Sequence, residues 1–232
     1  MDIHQGIRKT QKAEQTRQRI QDSALELFAS KGYEGTTMRD IAARSGCSLG
    51  LAYRYFSGKE EMVLELYRTL AQNLEEQVQE LPTSTLAERF EHTMQAQLTL
   101  MAPHRGSLTT LFGAALNPHS TVAVFGEQTA DIRSHSHNVF VTVAAGAKDA
   151  PRESQLGDVA TILYGLHMIL ILFWLQDRSQ EQSNTREALA FAKELVALLR
   201  PLLRIPPVHR MLARLAGILS SMFGNGMSQE RL

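Results

Sequence analysis

Apolar residues recur every three or four positions along most of the chain, which is the spacing that places side chains on one face of an α-helix. The first such segment starts at Ile20 and includes Phe28. It is predicted to end at Lys31 and Gly32, because a cation in the last turn followed by a glycine is typical of a helix C-terminus.

Two short helices are predicted next. Thr37 and Asp40 form a capping-box-like pair at the start of the first, which covers about 37–44. Ser48 caps the second, which extends to about Tyr55 after a break that contains Gly46. Two short helices joined by a tight glycine-containing turn predict a helix-turn-helix.

A longer helix is predicted to follow, capped by Ser57 and Glu60 and extending to about Glu80. Beyond Pro82 the pattern remains helical, and prolines or polar runs separate the segments. The predicted helical segments cover about 83–102, 104–116, 119–146, 154–177, 184–204 and 207–223. No segment has the alternation of a strand, so the predicted fold class is all-α.

One of these segments resembles a membrane span in composition. Residues 159–175 carry no charge, but Gly165 and His167 interrupt them. The segment is also shorter than the ~20 apolar residues that a span needs. A helix buried in its own domain or against a second copy is the better interpretation, and no membrane partner is expected.

The charge is distributed unevenly although the 24 Lys and Arg residues balance the 24 Asp and Glu residues. Residues 1–59 contain ten basic against six acidic residues, whereas the remainder contains fourteen against eighteen. The basic end is therefore where an anionic partner is expected. The single Cys47 cannot form an internal disulfide, and the N-terminus has no secretory pattern, which together favour a cytoplasmic location.

The predicted helix-turn-helix carries side chains suited to DNA, since its second helix would enter the major groove. Cations for phosphate are Arg39, Arg44, Arg54 and Lys59, and the hydroxyl groups belong to Thr37, Ser48, Tyr53 and Tyr55. Double-stranded DNA is the expected partner. From spacing alone, ordinary solvated charges on a helical domain remain the alternative.

The runs ALELF at 24–28, GYEGTTMRDIA at 32–42 and GCSLGLAYRYFSGKEEM at 46–62 resemble the N-terminal domain of the TetR family of transcriptional regulators. The polar and basic composition of residues 1–14 predicts a flexible basic arm. The resemblance implies a three-helix helix-turn-helix DNA-binding domain over 15–62 and a larger helical ligand-binding and dimerisation domain over 63–232. It also implies a homodimer that binds a palindromic operator and is released by a small-molecule effector.

The resemblance assigns roles to individual residues. Thr37 would meet phosphate; Ser48, Leu49, Leu51 and Arg54 would face the groove; and Tyr53 and Lys59 would hold the DNA backbone. Cys47 stands where valine is usual in the family. Leu49 occupies a position that is often polar, and it can touch a thymine methyl group but cannot hydrogen-bond a base edge.

The implied effector site lies among the helices between 83 and 177. Large or adaptable apolar groups with a few polar tips suit an apolar or aromatic molecule. The candidate residues are Met94, Leu98, Met101, Phe112, Phe125, Phe140, Tyr164, His167 and Trp174. They are named only as a set, since each residue taken alone is better explained as part of the core.

The family's dimer bundle suggests that helices about 154–177 and 184–204 form the homodimer contact. The last segment, 207–223, is a basic amphipathic helix. It is expected to pack on its own domain or on a partner, with a membrane surface as the alternative.

Other functional classes find little support in the sequence. His135 and His137 diverge on a helix, so no metal site is expected. Nucleophile-elbow, phosphate-loop and zinc-protease patterns are absent from the sequence, so neither an enzyme nor a cofactor is expected. A ligand-responsive repressor is the leading hypothesis, and an architectural DNA-binding protein or an activator without an effector is the alternative.

Overall fold

The computed structural model describes the backbone of residues 3–223 and the side chains of residues 11–223. Within this range the chain forms ten α-helices, three short 3₁₀ turns and no strand. The helices are α1 (Ile3–Lys31), α2 (Met38–Arg44), α3 (Leu49–Tyr55), α4 (Lys59–Gln79), α5 (Leu86–Met101), α6 (Arg105–Leu116), α7 (Ala130–Ala145), α8 (Glu153–Gln176), α9 (Ser183–Leu202) and α10 (Pro206–Phe223). The predicted all-α fold is confirmed.

Two helix boundaries differ from the prediction. The backbone of α1 is already helical at Ile3, because Gln, Lys, Glu, Ala and Arg dominate residues 11–19 and all are good helix formers. The side chains of Arg8 and Lys9, in the expected arm, lie outside the described residues.

The other difference is a segment predicted as helix that is irregular. The prediction of one helix over 119–146 is wrong for its first part, since α7 begins only at Ala130. Asn117 accepts a hydrogen bond of 3.0 Å from the backbone N–H of His119 through its side-chain oxygen. This local turn follows α6 and precludes a continuous helix.

The chain divides into two compact units, one comprising residues 1–66 with 104–123 and the other residues 67–103 with 124–232. The predicted boundary at residue 62 did not anticipate that α6 belongs with the N-terminal helices. In that unit Ser107 Oγ donates to the carbonyl of Leu25 at 2.7 Å, and Thr110 Oγ1 donates to that of Phe28 at 2.8 Å. Two hydroxyl groups thus hold α6 against α1.

The core of the C-terminal unit is built from α5, α7, α8, α9 and α10. Phe90, Met94, Phe140 and Tyr164 are almost completely buried in it. The ring centroids of Phe140 lie 6.1 Å from those of both Phe90 and Tyr164. Aromatic contact therefore links α5, α7 and α8.

Buried arginines close the ends of helices in this unit. Arg89 donates from Nε to the carbonyl of Val143 at 2.9 Å and from Nη1 to that of Pro82 at 3.0 Å. Arg133 donates from Nε to the carbonyl of Phe223 at 2.7 Å. Burial lowers the pKa of both guanidinium groups from their usual value. The carbonyl oxygens compensate for the loss of water around each cation.

Among the described residues, helix α8 is the one helix that is long and apolar enough to cross a membrane by composition, with a mean hydropathy of 1.9 over its most apolar window. Its residues Ala160, Leu163 and Trp174 are buried within the unit, whereas Ile169 and Phe173 are exposed. The helix is thus a core element with one outward apolar face, consistent with the predicted buried helix.

Candidate functional site

The first helix of the predicted helix-turn-helix begins with a complete capping box. The backbone N–H of Asp40 donates to Thr37 Oγ1, and the N–H and hydroxyl of Thr37 donate to Asp40 Oδ2. Lys31 Nζ at the end of α1 also donates to that oxygen at 2.7 Å. Lys31, and then Thr37, lower the pKa of Asp40 to about 2. One carboxylate thus joins the end of α1 to the start of α2.

The turn between α2 and α3 depends on a glycine. Gly46 has a φ of +65°, a conformation that side chains rarely adopt. The N–H of Cys47 donates to the carbonyl of Ala42 at 3.0 Å, which closes the turn. Ser48 then caps α3 by accepting from the N–H of Leu51 at 3.2 Å. The predicted helix-turn-helix is therefore present, with each helix beginning within one residue of the expected position.

Helix α3 has one buried and one exposed face. Ala52 is completely buried, whereas Tyr53 is 51% exposed and Arg54 is also exposed. Leu49, Leu51 and Tyr55 are half-buried, and Ser48, Thr37 and Arg39 are exposed. A small buried residue lets the helix lie close to its domain, while its polar residues project outward.

The cations of this unit fall into two groups. Arg17, Lys31 and Arg44 form ion pairs with Glu65, Asp40 and Glu26 at 2.6–2.7 Å. Arg39 and Arg54 form no ion pair with any described residue, and both are exposed. Two cations without an ion pair thus lie on the helix-turn-helix, where they can contact phosphate, in addition to the exposed Lys12 and Arg19 of α1.

Lys59 is held within its own domain. Its Nζ donates to the carbonyl of Tyr33 at 2.8 Å and lies 4.2 Å from the centroid of the Tyr33 ring. The side chain is thus ordered by a hydrogen bond and a cation–π contact. The sequence did not single out Tyr33, and only its proximity to the helix-turn-helix could have suggested it.

The cap of α4 differs from the predicted pair by one residue. Glu61, and not Glu60, accepts from the hydroxyl of Ser57 at 2.8 Å and from its backbone N–H. Glu60 instead accepts from the hydroxyl of Tyr33 at 3.2 Å. The prediction for Glu60 was wrong because Tyr33 provides a competing partner from another element.

The predicted effector residues are distributed unevenly. Phe112 lies on α6 in the N-terminal unit, and the others lie in the C-terminal unit. Met94, Phe140 and Tyr164 belong to one buried cluster, with Leu98 packed against it. The Phe140 ring centroid lies 5.0 Å from that of His167. The structure thus brings these five residues together.

The remaining predicted residues lie elsewhere in their unit. Trp174 is buried at the end of α8, where its Nε1 donates to Gln182 Oε1 at 2.6 Å. Phe125 is partly exposed and stacks on Phe223 with ring centroids 6.0 Å apart. Met101 is buried near the end of α5.

His167 is the polar group of the aromatic cluster. It is buried against Tyr164 with a centroid distance of 5.7 Å, and neither ring nitrogen makes a well-formed hydrogen bond to a described residue. Burial lowers its pKa to about 3, although the carbonyl of Tyr164 acts in the opposite direction. The imidazole is therefore neutral at physiological pH, with hydrogen-bonding capacity to spare.

A second buried polar residue without a full set of partners was missed by the sequence reading. Gln97 on α5 is buried, and its Oε1 accepts no hydrogen bond from any described residue. Its position one turn after Met94 on an apolar helix face is the signal that could have identified it.

The two histidines considered for metal diverge in the structure. His135 Nε2 lies 2.9 Å from a carboxylate oxygen of Glu75, and His137 Nε2 lies 3.1 Å from Thr161 Oγ1. Each contacts a different helix, and together they do not converge on one point.

Family comparison agrees with this architecture. Residues 20–66 match the family described as bacterial regulatory proteins, tetR family, and residues 89–213 match the Tetracyclin repressor-like, C-terminal domain. The chain belongs to the TetR family. The family resemblance, the all-α fold and the helix-turn-helix domain predicted from sequence are confirmed.

Individual TetR-family relatives are similar over part of the chain. The repressor KstR2 of Rhodococcus jostii is 29% identical over 126 residues, covering 54% of this chain and 56% of that protein. The regulator AcrR of Shigella flexneri is 33% identical over 100 residues, covering 40% of this chain and 46% of that protein. The chain thus spans about half the length of the curated relatives it matches.

Solved TetR structures share the fold over a larger part of the chain. A TetR transcriptional regulator from Nitrosomonas europaea has a TM-score of 0.61 at 22% identity, covering 79% of this chain and 98% of that one. FadR from Bacillus subtilis in complex with stearoyl-CoA has a TM-score of 0.56 at 17% identity, covering 75% and 96%. At these identities the similarity shows the fold.

Proposed function

We propose that the protein is a cytoplasmic, ligand-responsive transcriptional repressor. A homodimer binds a palindromic operator through α3 and is released by a small apolar or aromatic effector bound in the C-terminal unit. The observation that carries this proposal is the helix-turn-helix surface, where Arg39 and Arg54 are exposed without an ion pair among the described residues.

The residue roles on DNA follow from exposure. Arg54 and Ser48 lie on the outward side of α3, where base edges are read, while Arg39 and Thr37 at the start of α2 face phosphate. Lys59 is positioned by Tyr33 and adds a further cation for the DNA backbone. Leu49 is half-buried and contributes an apolar contact in place of a hydrogen bond.

The homodimer rests on the outward apolar faces of α8 and α9. Ile169 and Phe173 on α8, and Phe191 and Leu198 on α9, are all exposed. Exposed apolar residues on two adjacent helices of one unit mark an interaction surface. A twofold operator requires a twofold protein, so a second copy is the natural partner.

The effector site is the buried cluster around Phe140, Tyr164 and His167. An apolar molecule that enters it replaces core contacts with its own, and one hydrogen-bonding group on that molecule meets the His167 imidazole, whose ring nitrogens make no well-formed hydrogen bond to a described residue. Support by analogy comes from FadR of Bacillus subtilis, whose structure contains stearoyl-CoA, a ligand with a long apolar chain. Binding acts by shifting the population between conformations that differ in operator affinity.

Selection of bound fragments from random duplex DNA by the full chain, at two salt concentrations, tests the proposal. A palindromic consensus is expected. Arg54→Ala is expected to change the consensus, whereas Arg44→Ala, which removes a cation already paired with Glu26, should leave it unchanged. Salt-sensitive binding without a consensus would instead support an architectural DNA-binding protein.

A further inference from the structure

Helix α10 has an outward apolar face in addition to the face that packs on its unit. Met211, Leu215, Ile218 and Met222 are all exposed, with Met211 at 64% and Ile218 at 59%. Their spacing of four, three and four residues places them in one stripe along the helix. We call these four residues the α10 stripe. A contiguous apolar stripe of this kind on a folded unit indicates a partner.

The α10 stripe is held rigidly. The Leu219 side chain packs so closely on Gly165 of α8 that a Cβ there would lie 3.2 Å from Leu219 Cδ1. The Phe223 ring centroid lies 4.9 Å from that of Tyr164, and the Phe223 carbonyl accepts from Arg133. The stripe is therefore a fixed surface of the unit, and not part of a loosely attached helix.

Helix α8 carries an outward stripe with the same spacing. It consists of Ile162, Leu166, Ile169 and Phe173, of which the last two are exposed and the first two half-buried. Gly165, which contacts Leu219, directly precedes Leu166. Ile162 borders an apolar cleft that is also lined by Leu199 of α9 and Leu212 of α10. The α8 stripe is thus bordered by both α9 and α10.

Helix α9 repeats this arrangement with Phe191, Leu195, Leu198 and Leu202, which are exposed or half-buried. A stable interface buries on the order of 800 Å² per partner from about 20–30 residues. Two stripes of four residues with their flanking residues provide a small contact by that measure. Adding the α10 stripe raises the number of apolar stripes on this surface from two to three.

Opposite charges border this surface at its two edges. Glu187 and Glu194 are exposed seven residues apart on α9, on the side of the stripe away from Leu199. Arg210 and Arg214 are exposed on α10, on the side of its stripe away from Leu219. None of these four charges forms an ion pair with another described residue.

The charge pattern is self-complementary under one twofold arrangement. A twofold axis that runs along the outward face of α8 places the α9 edge of each copy opposite the α10 edge of the other copy. The dimer then contains two equivalent contacts of this kind. Glutamates then face arginines at both edges. A twofold axis perpendicular to α8 within the interface would place like charges opposite each other, which is unfavourable.

We infer that α10 is the third helix of the homodimer interface, with the α10 stripe and Arg210 and Arg214 of each copy contacting the α9 edge of the other. The inference rests on the proposed homodimer through α8 and α9. It assigns a role to a helix whose last ten residues, 214–223, lie beyond the C-terminal family match, which ends at residue 213.

Sedimentation equilibrium of the full chain tests this inference with matched variants. Met211→Gln combined with Ile218→Gln keeps helix propensity and changes only exposed positions, so the fold should be retained. The dimer dissociation constant is expected to rise at least about tenfold. Ala213→Gln, on the other side of α10, is the control and should leave the constant unchanged.

A second pair, Phe173→Gln with Leu198→Gln, separates this inference from the proposed function. We call the variant with Met211→Gln and Ile218→Gln the α10 pair. If the Phe173→Gln and Leu198→Gln variant weakens the dimer and the α10 pair does not, the inference is overturned and the α8–α9 homodimer stands. If neither pair weakens the dimer, the proposed interface and the inference both fail. If both pairs weaken it, the three-helix interface is supported.

Charge reversal tests the orientation. Arg210→Glu with Arg214→Glu should weaken the dimer several-fold, and adding Glu187→Arg with Glu194→Arg should restore it. Failure of this rescue would overturn the twofold arrangement.

Sedimentation with vesicles of anionic phospholipid tests the alternative that the α10 stripe binds a membrane surface. Vesicle binding that the α10 pair abolishes, together with an unchanged dimer constant, would assign the stripe to a lipid surface and overturn the inference.

Discussion

The Nε atom of Arg133 on α7 donates a hydrogen bond to the carbonyl oxygen of Phe223, the last residue of α10, at 2.7 Å. Arg133 Nη1 also donates to the carbonyls of Val124 and Gly126 at 2.9 and 2.6 Å. One buried cation therefore joins the carbonyl of Phe223 to the irregular segment before α7. The position of α10 on the unit depends on this residue as well as on apolar packing.

Replacing Arg133 is expected to release the C-terminal end of α10. Arg133→Met keeps the apolar stem but removes the donor of the Phe223 carbonyl, whereas the carbonyls of Val124 and Gly126 keep the Thr129 hydroxyl as a donor. It should reduce the free energy of unfolding by about 2 kcal/mol. Urea denaturation measures the loss, and hydrogen exchange should show it concentrated in the last turns of α10. Arg178→Met, at an exposed arginine, is the control and should change stability little. Equal losses for both variants would contradict the role of Arg133.

Two glycines of α8 should respond in opposite ways to the same substitution. Gly165→Ala brings a methyl group to 3.2 Å from Leu219 Cδ1 and 3.8 Å from Phe223 Cζ, so the Leu219 side chain must move by a few tenths of an ångström. We expect a loss of about 1 kcal/mol. Gly157→Ala meets no atom within 4 Å and should stabilise the helix by up to about 1 kcal/mol. Thermal unfolding of the two variants measures the difference, and a gain for Gly165→Ala would show that α10 does not pack closely there.

Stability should depend on pH through His167. Because burial lowers its pKa to about 3, the folded state binds fewer protons than the unfolded state between that value and about 6.5. The contribution of the neutral imidazole to the free energy of unfolding is thus complete above about pH 6.5 and declines as the pH falls. At pH 5 the loss should reach about 2 kcal/mol.

His167→Phe should remove this part of the pH dependence. Urea midpoints measured from pH 5 to pH 8 provide the comparison with the unmodified chain. His92→Gln, at an exposed histidine, should keep the original profile. A profile unchanged by His167→Phe would show that the imidazole is not held neutral by the fold.

Asp40, the carboxylate that caps α2, should add a second pH dependence of stability, at lower pH than that of His167. Lys31 and Thr37 lower the pKa of Asp40 to about 2, so its contribution is present above about pH 4 and is lost as pH falls toward 2. Asp40→Asn should be less stable than the unmodified chain at neutral pH and approach it in acid. Urea unfolding followed by far-UV circular dichroism at several pH values measures this convergence, with the exposed Glu34→Gln as the control. A constant difference across pH would contradict the assigned hydrogen bonds.

The two classes of arginine should behave differently on DNA. Arg39→Ala removes an exposed cation without an ion pair among the described residues, and should weaken binding to all sequences and reduce the slope of log affinity against log salt by about 1. Arg44→Ala removes a cation paired with Glu26 at 2.6 Å and should change the slope less. Fluorescence anisotropy with a labelled operator duplex measures both slopes, and equal changes would show that the Glu26 pair opens on binding.

The sequence predicted the helix-turn-helix closely because its determinants are local. Thr37, Gly46 and Ser48 act on residues within four positions along the chain, so a cap or turn can be recognised without knowledge of the fold. The resemblance to a known family added the roles of exposed residues such as Arg54. Neither source required long-range contacts.

What the sequence could not predict depends on partners far along the chain. Arg89 and Arg133 can be buried because each donates a hydrogen bond to a carbonyl oxygen more than fifty residues away along the chain. The grouping of α6 with the N-terminal helices depends on hydroxyl contacts from Ser107 and Thr110 to α1. Glu60 failed as a cap for the same reason, since the hydroxyl of Tyr33 was not foreseeable from local pattern.

Trp174 is the only tryptophan in the chain, and it lies buried at the junction of α8 and α9 with its indole N–H bonded to Gln182. Intrinsic tryptophan fluorescence therefore reports on a single place in the molecule. Blue-shifted emission marks the closed junction, and a red shift marks water reaching the indole. The protein thus contains its own spectroscopic probe beside the outward faces of α8 and α9, so rearrangement there can be followed without labelling.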